Sequence, residues 1–375
     1  MTQIYLDYNA STPIAPEVVA VMRDAMDRAF GNPSSPHWAG VPARQMVEKA
    51  RGQVADLLGC APEEVVFTSG GSEANNFALK GAFFGSTRAR RHIVTTRIEH
   101  PAIVTPCQFL EQLSAEITWL PVDGTGRIDP DDLRRAIAAD TILISVMHAN
   151  NEVGTIQPIE DCAAIAREHG IPFHTDAAQS VGKIPTRVDV LGVDLLTIAG
   201  HKFYAPKGIG ALYVRNGITL EPLIHGAGHE GGRRAGTESA LLAAALGEAC
   251  VLASALSDME RVSALRDRFW AALRGRFGNT VALNGHPKLR LPNTLNVSFI
   301  GRIGADVLAE LDGVAASTGS ACHAGRIELS PVLEAMGVPP EVGMGAVRFS
   351  LGRGTTAEEI DSVVAQLSNV LPRTA

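Results

Sequence analysis

Leu195-Leu196-Thr197-Ile198-Ala199-Gly200-His201-Lys202 decides how the rest of this chain is read. Its opening residues are apolar or β-branched and, with Asp194 before them, read as a buried strand of the run 194–198. The glycine then permits a loop, and a lysine stands just past the strand end. Ligands of α/β sheets gather at such ends, and a lysine there can form a Schiff base with an aldehyde cofactor. Taken alone, the same letters also describe a surface lysine beside a packed histidine. The next strand run, 210–214, follows through a loop rather than a helix, so one member of the sheet is expected to run antiparallel. Further upstream, strand runs at 65–68, 92–96, 117–121, 141–147 and 172–175 alternate with helix-period stretches at 73–84, 102–113, 131–138 and 159–169. Pro130 and Pro158 fall where first helical turns accept proline. Strands alternating with helices imply an α/β fold with a mostly parallel sheet covered by helices on both faces.

Beyond Thr237 the pattern changes. An alanine- and leucine-rich helical stretch, 238–256, reads as the exit from the first unit. A second cycle then begins, with a helix to Phe277, strand runs at 294–300 and 347–351, and helical stretches at 305–311 and 356–371. The division expected is a large domain over 14–257 and a smaller α+β C-terminal domain over 258–375, with 1–13 packing near the active site.

Charge and hydropathy remove several classes of function. With 33 basic against 40 acidic residues the net charge is −7, which offers nucleic acid no basic field. No segment approaches the ~18 uninterrupted apolar residues of a membrane span. The first residues, Met1-Thr-Gln-Ile-Tyr5, lack the basic and apolar regions of a secretory signal, so a cytoplasmic location is expected. Five cysteines, at 60, 107, 162, 250 and 322, are odd in number and never spaced as CxxC, which argues against a disulfide framework. His225 and His229 stand four apart, as metal-binding histidines of a helix do. The glycines between them make a helix improbable, and no metal site is expected.

Two further motifs give the lysine its meaning. In Pro172-Phe-His174-Thr-Asp176-Ala-Ala-Gln179 an acid stands at another strand end. A carboxylate paired to a pyridine nitrogen keeps it protonated, as an electron-sink cofactor requires; Asp176 suits that task, and Gln179 lies one turn on. The alternative is an Asp capping a following helix. Thr68-Ser69-Gly70-Gly71-Ser72-Glu73 links a strand to a helix; its glycines admit close backbone approach and its amides point at an anion, so it suits a phosphate.

At this point the chain resembles the cysteine desulfurases of NifS/IscS type, in the aminotransferase class V group of fold-type I pyridoxal-phosphate (PLP) enzymes. The likeness runs nearly end to end. It includes Tyr5-Leu-Asp7-Tyr-Asn9, Gly31-Asn-Pro-Ser-Ser35, Glu99-His100, Asn150-Asn151-Glu152, Gly200-His-Lys202, Arg234-Ala-Gly-Thr237, Gly319-Ser-Ala-Cys322 and Val347-Arg348-Phe-Ser-Leu-Gly352. The resemblance implies that Lys202 carries the cofactor and moves protons, and that His100 stacks on its ring and relays protons. Asn151 and Gln179 would contact the ring oxygen or the substrate carboxylate. Gly71, Ser72 and His201 would bind the phosphate, with Thr237 reaching across from the second subunit of a homodimer. Arg348 would pair with the substrate carboxylate, for which a guanidinium fork is well shaped; a structural ion pair is the alternative.

Cys322 lies in Ser317-Thr-Gly-Ser-Ala-Cys-His-Ala-Gly325, too rich in glycine and serine to be core. Cys162 and Cys250, on helical stretches, read instead as inert small hydrophobes. The resemblance makes Cys322 the thiolate that takes sulfur from L-cysteine, leaving L-alanine and a persulfide for an acceptor protein, as in iron–sulfur cluster assembly. Two departures stand out. His323 follows the cysteine where relatives carry threonine or serine, and Ala199 replaces a serine that binds phosphate in many of them. The alternatives are a selenocysteine lyase acting on L-selenocysteine, a class V aminotransferase, which would leave Cys322 without a role, and an inactive sulfur-transfer scaffold.

Overall fold

The apolar, β-branched runs become strands buried along most of their length, as a sheet covered on both faces requires. The computed structural model describes residues 3–318, 322–323 and 326–371, with the backbone alone at 322–323 and 326–327. In chain order its strands are β1 (Ile4–Tyr5), β2 (Val65–Thr68), β3 (Arg91–Thr96), β4 (Ala115–Leu120), β5 (Thr141–Ser145), β6 (Phe173–Asp176), β7 (Leu195–Ala199), β8 (Gly210–Val214), β9 (Val281–Asn284), β10 (Thr294–Phe299), β11 (Val314–Ala315), β12 (Ser317–Thr318), β13 (Cys322–His323), β14 (Arg326–Ile327) and β15 (Ala346–Ser350). Seven form one sheet in the order β2-β8-β7-β6-β5-β3-β4. Within it β8 is antiparallel to both neighbours, as the loop before it led us to expect, and the pairs from β7 through β4 are parallel.

Side chains alternate between the two faces of this sheet. Val65, Phe67, Phe173, Leu196 and Ile198 join one apolar cluster, while Val66, Ile93, Leu143, Leu195 and Leu212 join another. Helices lie where the period of the sequence put them, at Gly71–Gly85, Pro101–Glu111, Pro130–Ala136 and Ile159–Glu168. Pro130 opens its helix, whereas Pro158 is the N-cap rather than a first-turn residue. The helices Pro16–Arg28 and Gly40–Leu58 were not legible from pattern. Gly40, Pro42 and Gly52 weaken local propensity in the second of them. Its stability comes from packing on the alanine-rich helix Ala240–Ser254.

That helix is followed, across a 70° bend, by Ser257–Phe277, and among the described residues no single helix is long and apolar enough to cross a membrane. Four strands form a second, antiparallel sheet in the order β12-β15-β10-β9. One face is apolar: Leu295, Val297, Phe299, Val347 and Phe349 pack against Phe269 and Leu273 of Ser257–Phe277 and against Ile360, Val363 and Leu367 of the last helix, Ala357–Val370. The other carries Thr294, Asn296, Ser298, Arg348 and Ser350, all buried despite their polarity. The N-terminal segment serves both faces: β1 pairs in parallel with β11, Ile4 and Leu6 enter the apolar core, and Asn9 bonds Thr294 Oγ1 (2.8 Å) and Ser350 Oγ (2.9 Å) on the polar side.

Candidate active site

Every group singled out on the large sheet lies at or just past the C-terminal end of a strand, where the backbone leaves the sheet. Lys202 stands on a single 3-10 turn, Gly200–Lys202, after β7. Its Nζ donates to the carbonyls of Asn9 (2.8 Å) and Ala10 (2.9 Å). Burial and then the Arg348 guanidinium push its pKa down to about 8, with Asp176 and Asp7 opposing. The lowered value leaves more neutral amine near neutral pH than an ordinary lysine has, and the neutral amine is the form that adds to an aldehyde.

Asp176 ends β6. Its Oδ1 accepts from the Ala178 amide (2.9 Å) and its Oδ2 from Asn75 Nδ2 (2.7 Å), so a helix-side asparagine with no distinguishing sequence signal fixes this carboxylate. The floor around it is held without charge. His174 bonds Ser145 (2.9 Å) and Thr197 (3.1 Å), and burial pushes it down to about 4. Burial does the same to His148. Glu99 accepts from Thr96 Oγ1 (2.9 Å) and the Met147 amide (2.8 Å), and burial pushes it up to about 8. Neutral neighbours leave Asp176 as the acid that faces the cavity.

At the anion end, Gly70 adopts φ 145°, ψ −175°, a conformation that side chains disfavour, and the helix Gly71–Gly85 begins directly after it. A Cβ on Gly71 would stand 3.2 Å from that of Ala199, so the glycine and the small residue at 199 go together. His201 Nδ1 lies 3.3 Å from Ser11 Oγ, and burial followed by Lys202 pushes the imidazole down to about 4. Thr237 does not share this space. It is exposed and lies on the other side of the turn, with Ser69, Glu230 and Arg234.

The polar face of the second sheet supplies the opposite wall. Arg348 donates from Nη1 to the Asn151 carbonyl (2.9 Å) and from Nη2 to Asp7 Oδ1 (2.8 Å), while its buried Nε has no partner. Ser317 Oγ also donates to Asp7 Oδ1 (2.9 Å). The ion pair weighed as an alternative role for Arg348 is therefore present, and it leaves part of the guanidinium fork free. His100 caps the helix Pro101–Glu111, its Nδ1 accepting from the Ala102 amide (3.0 Å), which puts the proton of a neutral ring on Nε2. Burial, and then Lys202, lowers its pKa.

Gly71, Ser72, His100, Asn151, Asp176, Gln179, His201, Lys202 and Arg348 all line one cavity of about 410 Å³. Asn9, Asn75 and Ala10 line it too. Of these Asn9 had a sequence signal, its place in the Tyr5 motif. The Cys322 side chain lies outside the described residues. His225 and His229 fall in a non-helical stretch, His225 paired with Glu221 (3.2 Å) and His229 accepting from the Gly236 amide (3.3 Å).

An amine, a fixed carboxylate and a helix N-terminus spaced around one cavity form the donor set that pyridoxal phosphate takes: aldehyde, pyridine nitrogen and phosphate. Comparison with known proteins agrees. The model of the class-V aminotransferase family matches residues 4–363. A cysteine desulfurase IscS from Dictyoglomus turgidum is 48% identical, the match covering 99% of this chain and 95% of the relative. A solved NifS-like protein superposes with a TM-score of 0.92 at 35% identity, covering 98% of this chain and 99% of the other. SspA, solved in complex with cysteine, gives 0.84 at 38% identity, with 93% and 99% covered. The chain belongs to the class-V aminotransferase family of fold-type I, PLP-dependent proteins. Within that family it falls among the cysteine desulfurases of NifS/IscS type.

Proposed function

We propose that this chain is a pyridoxal-phosphate-dependent cysteine desulfurase that takes sulfur from L-cysteine, releases L-alanine and carries the sulfur as a persulfide on Cys322. One observation carries the reading: Lys202, Asp176 and Arg348 border a single cavity in a chain 48% identical to a cysteine desulfurase. When bound, pyridoxal phosphate supplies an electron sink at the substrate Cα. Lys202 Nζ is the point of attachment and the base that removes and returns the Cα proton. Asp176 keeps the pyridine nitrogen protonated, and Gln179 donates to the ring oxygen. His100 stacks on the ring and holds a proton at Nε2. Gly71, Ser72 and His201 bind the phosphate, joined by Thr237 from a second copy in a homodimer; the position of Thr237 outside its own chain's cavity supports that arrangement. Arg348 and Asn151 hold the substrate carboxylate. The Cys322 thiolate attacks the substrate Sγ; the Cβ–Sγ bond breaks, Cβ takes a proton, and the outer sulfur remains on Cys322 for an acceptor protein, with iron–sulfur cluster assembly as the proposed destination. Residues 14–257 form the cofactor-binding unit and 258–375 the smaller one, a division supported by separate apolar cores.

The test is made on the purified protein. Incubation with L-cysteine should give alanine and one added sulfur on the peptide containing Cys322. Cys322→Ala should keep bound cofactor while alanine and sulfide fall to background; turnover of cysteine at the wild-type rate would remove the persulfide route. Parallel assays with L-selenocysteine separate desulfurase from lyase, and sedimentation should show a dimer.

A further inference from the structure

Lys183 is buried beneath the cavity and belongs to no part of the chemistry above. Its Nζ donates to Gln179 Oε1 (2.9 Å) and lies 3.5 Å from Asn9 Oδ1. Among the described residues no carboxylate faces it, and the charged groups that bear on it, Lys202 and Arg348, are both cations. Burial first, then those two neighbours, push it down to about 7. An ammonium without a counter-ion beside like charges is a costly thing to bury, and an apolar residue of the same length would stabilise the fold more. Its retention is explained by what it fixes.

Charged or neutral, the Lys183 amine offers at least two N–H donors, and the two atoms it meets are oxygens, Gln179 Oε1 and Asn9 Oδ1, so it donates to the carbonyl side of Gln179. The Gln179 nitrogen is then the atom turned the other way. One of its hydrogens goes to the Asn9 carbonyl (3.0 Å), and the second has no partner among the described residues, in a side chain that borders the cavity. The same logic orders Asn9. Its Oδ1 accepts from Asn293 Nδ2 (2.9 Å) and faces Lys183, so its Nδ2 donates to Thr294 Oγ1 (2.8 Å) and the Asn151 carbonyl (3.2 Å). Asn9 in turn offers the carbonyl that holds Lys202 Nζ.

We propose that Lys183 is a positioning residue that holds the Gln179 carboxamide with its N–H side toward the cofactor, so that the site presents a donor to the ring oxygen. This rests on the reading of the cavity as a pyridoxal-phosphate site, and concerns a residue that touches neither cofactor nor substrate. Without Lys183, one of the two contacts that forbid a flipped amide is gone, and Gln179 can turn its oxygen to the ring.

The experiment compares wild type, Lys183→Met, Lys183→Gln, Gln179→Ala and the double variant Lys183→Met/Gln179→Ala. It reads the pyridoxal-phosphate concentration for half-saturation and the absorption maximum of the bound cofactor, with thermal melting as the check on folding. Lys183→Met should weaken cofactor binding about three- to tenfold, the size of one misdirected hydrogen bond, and shift the absorption maximum. In the Gln179→Ala background the same change should cost less than about twofold, because the group it acts through is gone. Lys183→Gln keeps a buried donor and should stay within about twofold of wild type. Wild-type binding and spectrum in folded Lys183→Met, or additive losses in the double variant, would overturn the proposal. So would a folded Lys183→Gln that binds tenfold more weakly, whether or not the methionine variant folds. A wild-type protein that takes up no pyridoxal phosphate would instead sink the cofactor reading itself.

Discussion

The two sheets of this molecule bury polar groups in opposite ways. In the seven-stranded sheet the strands β2, β5, β7 and β8 are buried at every position, and its catalytic candidates sit at or past the strand ends. In the four-stranded sheet β10 alternates strictly, β15 does so from Val347 to Ser350, and one face is mostly polar. A sheet with one polar face ordinarily shows that face to water. Here Thr294, Asn296, Arg348 and Ser350 are buried, because the N-terminal segment and the loop after β5 cover them and satisfy them: Asn9 bonds Thr294 and Ser350, Asn151 and Asp7 bond Arg348, and Asn296 bonds the Glu152 carbonyl. The first sheet makes a floor in which Glu99, His148 and His174 are held neutral around Asp176. The second makes a wall in which the Arg348 guanidinium keeps N–H groups beyond those given to Asn151 and Asp7, and these are available to an anion. Parallel strands concentrate chemistry at their ends; an antiparallel sheet has a face to spend on it.

Adjacent residues of β15 offer the sharpest test of that contrast. Arg348→Ala should lower kcat/KM for cysteine by about 30- to several thousand-fold, the cost of ~2–5 kcal/mol for leaving a desolvated charge unpaired, while the cofactor stays bound. Its neighbour Phe349 points the other way, into the apolar core against Phe269 (ring centroids 5.0 Å apart). Phe349→Ala should cost ~3–5 kcal/mol in urea unfolding with kcat/KM near normal in the folded protein. If the two variants shared one phenotype, the division of β15 into a working face and a packing face would be broken.

The floor of the large sheet should show itself in pH dependence. His148 and His174 are held at about 4 in the folded protein, below the ordinary imidazole value of 6.5. As pH falls from 6.5 toward 4 the unfolded chain takes up protons that the folded chain refuses, so stability is lost over that window, by roughly 2–3 kcal/mol for each histidine. Glu99, raised to about 8, has the opposite sign: the folded chain keeps its proton and loses that advantage as pH rises from 4.5 to 8. Chemical denaturation across pH should therefore give a steeper acid limb and a flatter limb from 6.5 to 8 in Glu99→Gln. Unchanged limbs would mean that the floor is hydrated rather than dry.

The smallest effect belongs to a residue remote from both surfaces. Thr356 caps the last helix in a capping box with Glu359 (2.9 and 3.2 Å). Thr356→Ala should cost ~1 kcal/mol and leave kcat/KM alone. A drop in activity larger than the drop in stability would tie the last helix to the polar wall.

The sequence by itself determined the strand–helix alternation, the single antiparallel strand β8 and the placement of Lys202, Asp176 and the glycine turn at strand ends. These follow from periodicity and from glycine, signals confined to a few neighbouring residues. The run 294–300 was legible as a strand, but a strand run does not say what covers either of its faces. Only the tertiary structure decided that the polar face is buried, and which side chains satisfy it. Asn75 meets Asp176 across 101 residues, and Asp7 meets Arg348 across 341. Lys183 lies four residues from Gln179, yet it also meets Asn9, 174 residues away. An asparagine, an aspartate or a lysine carries no local mark of such a partner, because hydrogen-bond geometry depends on where the backbone goes, not on the spacing that sends it there.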